Sequence, residues 1–282
     1  MWFKSKKTKE EPRELLKIAI KDGQVSSIEN FNSFQTRAES SIKMTMDAIK
    51  CGISAKALSF NLHTGDFPVG EIQANNFYYC CDSKEKLNSV FPDFIFDHWQ
   101  QAGIEDYTAT IEKISAASEV PFVYDKMLWI GNVKTNPIRE KIISLSEQFP
   151  EKIEAHNTYV DQYMEGNKKN TYISLADHTK YRYLIDLEGR GYSGRLKLLL
   201  YTKRLLFIQE RQWKSYYHFE LEPYKHFIPV KNDLSDLTSQ IDFVEQKGQE
   251  YYLDVVNNAY QYAKQNLSYQ KAVKRIQALL NN

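Results

Sequence analysis

The chain has 282 residues, 42% of them hydrophobic and 13% aromatic, which is enough apolar material to fold alone as one large domain or two modest ones. Lys and Arg total 37 against 36 Asp and Glu, a formal net charge of +1, so no overall field gathers nucleic acid or another polyanion. No apolar run approaches the roughly 18 residues of a membrane span, and the opening MWFKSKKTKEEPRE lacks the apolar stretch of a signal peptide, which gives the expectation of a cytoplasmic protein.

In chain order, Trp2 and Phe3 stand before Lys4, Lys6, Lys7 and Lys9. This composition suits peripheral contact with an anionic membrane surface. Glu10, Glu11 and Glu14 weaken that reading, and a frayed, solvated end is the other. Apolar residues at helical spacing predict a helix over 34–49, followed by a strand over 57–62 that ends in the turn HTGDFP. Strands are predicted at 76–81 and 126–130, and Pro137 opens a helix through residue 146. A strand over 183–187, a helix over 193–201 and a strand over 205–208 follow. Asp233 and Ser235 predict the cap of a helix reaching about residue 245, and two amphipathic segments close the chain. Cys51, Cys80 and Cys81 have no CxxC spacing, and the adjacent pair resists bridging to itself, so reduced thiols are expected. Strands alternating with helices predict an α/β protein built on parallel sheets.

The most informative local pattern is YLIDL, then Glu188-Gly189-Arg190-Gly191-Tyr192-Ser193-Gly194-Arg195, then the apolar LKLLLYT. Strand, glycine-rich turn and helix in succession suit a phosphate, because glycines allow close backbone approach and free amides at a helix start favour an anion. Glu210 follows about twenty residues after the turn, at a strand end, where a carboxylate can accept hydrogen bonds from a ribose. The same spacing fits a dinucleotide fingerprint, and hence an NAD-dependent oxidoreductase. Arg190 and Arg195 favour a terminal diphosphate, which benefits from charge-assisted contacts that a bridging pyrophosphate on amides does not need.

In LSFNLHTGDFPVG the predicted strand ends at a turn that presents Asp66. Loops after the carboxyl ends of strands are where open α/β sheets bind ligands, so Asp66 can act as a general base. The same residues also fit an ordinary turn. His63 reads as a structural neighbour, while Asp177, His178 and Lys180 precede the glycine turn and can line the same cleft. No His, Cys or carboxylate cluster has metal-ligand spacing. Asp186 and Glu188 form a DxE at the end of an apolar strand, where alternation favours a structural role. Tyr78, Phe94 and Trp99 can stack on a glycan, but their apolar area fits a core better.

These blocks resemble glycosyltransferase family 90, which includes protein O-glucosyltransferases, fungal capsule-associated proteins and bacterial lipopolysaccharide-modifying enzymes. The resemblance is strongest from ADHTKYRYLIDLEGRGYSGR through WKSYYHFELEPYKHFIPVKNDLSDL, with GDFP and WIGNVKTNPIR upstream. It implies a GT-B architecture of two Rossmann-like domains facing across a cleft. Residues 1–119 would form the acceptor side and residues 120–282 the donor side, with the last helix packing back on the first domain. It further implies inversion at the sugar, Asp66 as catalytic base, and a UDP-sugar gripped by Asn132, Arg139, Arg190, Gly191, Tyr192, Ser193, Gly194, Arg195 and Glu210, without a metal or other cofactor. The chain departs from the family pattern at Ile130, at Tyr224, and at Asn132, which aligns only across a one-residue gap. With no leader or retention tail of the eukaryotic members in view, the resemblance favours a bacterial enzyme acting on a lipopolysaccharide, lipooligosaccharide or capsule precursor. A non-catalytic nucleotide-sugar-binding protein is the remaining alternative.

Overall fold

The computed structural model describes residues 14–54, 56–69, 75–158 and 173–281. The N-terminal aromatic and basic cluster, Trp2 to Lys9, lies outside them. The chain begins with a hairpin of two strands, Leu15–Lys21 (β1) and Gln24–Phe31 (β2). Its two-residue turn is Asp22-Gly23, with φ of 49° and 71°, the left-handed pair that matches the twist of antiparallel strands. Helix α1 (Gln35–Lys50) leads to β3 (Ala57–His63), which pairs antiparallel with β1 and parallel with β4 (Asn76–Tyr78). The first sheet therefore has the order β2-β1-β3-β4. A parallel, Rossmann-like sheet was expected for residues 1–119, and here the structure differs. The Asp22-Gly23 turn reverses the chain with no crossover helix, so β1 lies antiparallel to both of its neighbours.

After α2 (Tyr107–Ser118), the second sheet comprises β5 (Tyr124–Gly131), β6 (Ile153–Asn157), β7 (Tyr181–Asp186), β8 (Leu205–Gln209) and β9 (Ile228–Val230). Every pairing in it is parallel, and the order is β6-β5-β7-β8-β9. Counted within this half, that is the doubly wound order 2-1-3-4-5, whose direction of winding reverses between β5 and β7. Strands buried on both faces read as near-continuous apolar runs. Leu184, Leu206 and Ile208 point to one core, while Tyr183, Ile185 and Phe207 point to the other. The second core is closed by α3 (Ile138–Gln148) and by α5 (Leu237–Asn266), whose Leu237, Ile241 and Val244 before an interruption at Gly248 and Tyr252, Val255 and Val256 after it all enter the core. The α5 cap differs from expectation, because the Asp233 carboxylate closes a local turn on the Ser235 amide and the helix starts after Asp236.

The first core is continuous between the two sheets. Phe60, Phe91 and Phe96 share it with Leu184, Leu206, Ala263 and Ile276. The final helix, α6 (Tyr269–Asn281), buries Val273 and Ile276 in this core against α1, and its Gln277 amide donates to the carbonyls of Cys51 and Gly52. Arg204, only 7% exposed, donates to the carbonyls of Ser118, Val120 and Thr179, which ties the segment after α2 to the start of β7. All three cysteines are free, with Cys80 and Cys81 buried. Among the described residues no helix is long and apolar enough to cross a membrane.

A buried ion pair fastens the halves together. The Lys197 ammonium donates to both oxygens of Asp93 and to the Gly194 carbonyl, each at 2.8 Å, with 0% and 1% of the two side chains exposed. Burial pushes the lysine pKa down, and the Asp93 carboxylate opposes that shift. Removing one partner strands the other charge in the interior. Lys197→Met is expected to cost about 3–5 kcal/mol of stability in urea melts. Lys197→Met combined with Asp93→Asn should recover at least half of that loss; an uncoupled, additive pair of losses would contradict the role given to the pair.

Candidate active site

The winding reverses between β5 and β7, and open parallel sheets hold their ligands beyond the carboxyl ends of the strands at such a reversal. Two arginines converge there. Arg195 donates to the carbonyl of Ile130 at the end of β5, and its Nε lies 4.0 Å from Asp186 at the end of β7. Arg139, from the first turn of α3, donates to the carbonyls of Asn132 (3.1 Å) and Glu188 (2.8 Å) and lies over the Trp129 ring at 5.7 Å. The two guanidiniums thus bracket the gap between the strands.

Asp186 organises the glycine turn from below. It is 0% exposed, and its carboxylate accepts from the Ser193 hydroxyl at 2.7 Å and from Arg211 at 2.8 Å. A second Arg211 nitrogen donates to the Asp186 carbonyl. Three guanidiniums therefore meet one fully buried carboxylate and the half-buried Glu188. Burial, then the neighbouring charge of Arg195, pushes the Arg139 pKa down to about 10, with Asp186 and Glu188 opposing. Burial likewise lowers Arg195. Such a surplus of partly desolvated positive charge favours an anion.

The helix expected over 193–201 is reduced to the single turn α4 (Leu196–Leu199). The guanidiniums, rather than a helix start, supply the positive potential. Nor do the turn's glycines serve backbone conformation, since none of Gly189, Gly191 and Gly194 has a positive φ. Two of them allow close approach to the N-terminal half. A Cβ at Gly191 would stand 1.9 Å from the Asp66 carbonyl oxygen, and one at Gly194 would stand 2.2 Å from Cδ1 of Ile95.

Asp66 is thereby seated directly against the glycine turn. Its side chain is 37% exposed and accepts from Arg37 of α1 at 2.8 Å, while Arg37 also donates to the Thr64 carbonyl. Burial opposes the charge on Arg37, but Tyr192 and Asp66 more than offset it and raise its pKa. The Cys80 thiol donates to the Asp66 carbonyl at 3.4 Å. The turn therefore presents a partly exposed carboxylate oriented by Arg37, on a main chain held by Cys80.

The other sequence-derived residues have contacts of their own. The Asn132 side chain accepts from the Lys134 amide as a turn cap. Tyr192 packs its ring 6.3 Å from Tyr79 in the N-terminal half. Arg190 is exposed on the turn, and Glu210 is exposed at the end of β8, its main chain held by Val230 and Asn232. His63 stacks on Tyr78 at 4.6 Å. His178 is 4% exposed; its Nδ1 faces the Ser174 carbonyl, and burial holds its pKa down at about 4. Tyr78 and Phe94 are core residues. Among the described residues no three His, Cys, Asp or Glu side chains come together to hold a metal ion. Sequence reading missed Arg37 and Arg211, since a lone arginine on a helix or after a strand carries no pattern.

Known proteins similar to this chain include named glycosyltransferases. The human protein O-glucosyltransferase 1 is 32% identical over 117 residues, covering 40% of this chain and 30% of that protein. O-glucosyltransferase rumi of Drosophila melanogaster is 31% identical over 193 residues, covering 61% of this chain and 46% of its own. The chain thus matches less than half the length of these curated relatives. Among solved structures, a glycosyltransferase from Rickettsia africae ESF-5 aligns with 62% of this chain and 44% of its own at 14% identity, with a TM-score of 0.37. The family model for Glycosyl transferase family 90 matches residues 5–282, nearly the whole sequence, and the chain belongs to that family.

Proposed function

We propose that this chain transfers a sugar from a UDP-sugar to an acceptor hydroxyl, with inversion and without a metal ion. The acceptor in this reading is a bacterial lipopolysaccharide, lipooligosaccharide or capsule precursor, met in the cytoplasm or at the inner face of the membrane. The observation that carries the proposal is the arginine surplus at the reversal between β5 and β7, seated against the Asp66 turn.

In the proposed reaction the acceptor oxygen attacks the anomeric carbon as Asp66 takes its proton, while the bond to the UDP oxygen breaks on the opposite face. Negative charge grows on the departing diphosphate, and Arg139 and Arg195 are placed to meet it. Arg37 keeps the Asp66 carboxylate oriented. The division of labour follows the sequence halves, with residues 1–119 supplying the base and residues 120–282 the phosphate grip. In this reading the two halves act as a GT-B-like pair, and the first sheet is mixed rather than parallel. The relatives named as protein O-glucosyltransferases support sugar transfer; that this chain takes a glycan rather than a protein is part of the proposal.

Asp66→Asn should reduce transfer by about 10²–10⁴-fold while leaving the UDP dissociation constant, read by calorimetry, within about threefold of wild type. Near-normal transfer by this variant would remove Asp66 as the base. Arg195→Ala should weaken UDP binding by about 10–100-fold, the range for one charge-assisted contact; an unchanged constant would place the diphosphate elsewhere.

A further inference from the structure

Beside Asp66 lies a stacked aromatic pair that the proposed chemistry leaves unused. Phe67, the next residue, is 42% exposed and lies parallel to Trp213 within 18°, with ring centroids 5.8 Å apart. Trp213 belongs to the segment after β8 and is half-buried. Its place is set by main-chain pairing, because Cys81 and Lys214 exchange two backbone hydrogen bonds at 2.9 and 3.0 Å. The adjacent Cys80 thiol holds the Asp66 carbonyl. The two rings therefore come from opposite halves of the sequence and are fixed relative to the carboxylate.

We infer that Phe67 and Trp213 form the acceptor shelf, and that its occupant is a pyranose ring of a glycan. The inference rests on the proposed role of Asp66 as base. A pyranose has an apolar C–H face and a rim of hydroxyls. The site offers a matching pair of features, an exposed aromatic face on Phe67 and polar neighbours in Asp66, its partner Arg37 and the exposed Gln212 that precedes Trp213. Since consecutive Cα atoms are about 3.8 Å apart, a ring lying on Phe67 brings its hydroxyls to the neighbouring Asp66. A polypeptide acceptor is gripped along a free strand edge or in a groove. The edge strand β4, which follows the Asp66 turn in the chain, is three residues long, and its Tyr78 already pairs with Val90.

The test is saturation-transfer NMR of the UDP-bound protein with methyl β-D-glucopyranoside, methyl β-D-galactopyranoside and methyl α-D-mannopyranoside. Ring C–H protons of at least one pyranoside should be saturated by the wild type. Trp213→Ala should reduce that signal about fivefold or more, and Trp213→Phe, which keeps a flat ring, should retain at least half of it. Phe67→Ser is the second variant should Trp213→Ala fail to fold. Equal saturation in the ring-deleted variants, or none in a wild type that binds UDP, overturns the shelf alone. A wild type that does not bind UDP overturns the donor reading and the shelf with it.

Discussion

At Gly191 the glycine turn and the Asp66 turn meet through main-chain atoms, with no room for a side chain between them. Everything proposed for the site depends on that contact. It brings a carboxylate carried by the mixed sheet to the end of the parallel sheet, where the winding reverses and two arginines converge. The surrounding packing holds it shut: Lys197 and Asp93 form their buried pair just below, Gly194 lies against Ile95, and Cys81 pairs with Lys214 alongside. A base and a leaving-group site on separate layers need a fixed separation, because small misplacements of reacting groups cost large factors in rate.

The second organising element is Asp186. A buried carboxylate needs paired donors, and Asp186 has Ser193 and Arg211. It thereby shapes the glycine turn, and with Glu188 it leaves the three guanidiniums a net positive charge. The DxE pattern that contains it is thus structural in its first carboxylate, as its place at an apolar strand end suggests.

Long apolar runs and their punctuation made β5, β7, β8, α1 and α3 legible in the sequence, because period and turn residues agree there. The missed elements had local signals that were weaker or unread. Asp22-Gly23 is a strong hairpin signal, and reading it would have shown the first sheet to be mixed. Asp106, whose side chain accepts from the Ala109 amide, marks the start of α2. The shortening of the predicted 193–201 helix was not legible, since Leu196 to Tyr201 are all buried and apolar content alone does not set helix length. Within the site, the glycines and arginines were visible as residue types. Their duties were not: the close approach at Gly191, the capping by Asn132 and the orientation of Asp66 by Arg37 arise from contacts between segments far apart in the chain.

The central claim is that contact between Gly191 and Asp66 sets the working geometry. Its most direct test compares transfer by Gly191→Ala and Gly189→Ala. A Cβ at Gly191 meets the Asp66 carbonyl at 1.9 Å, whereas one at Gly189 meets its nearest neighbour, a nitrogen of Arg139, at 3.5 Å, an ordinary contact. Gly191→Ala should lose transfer by about 100-fold or more, as expected when reacting groups are displaced by about an ångström, while Gly189→Ala stays within about tenfold of wild type. Equal activity in the two variants would contradict the account.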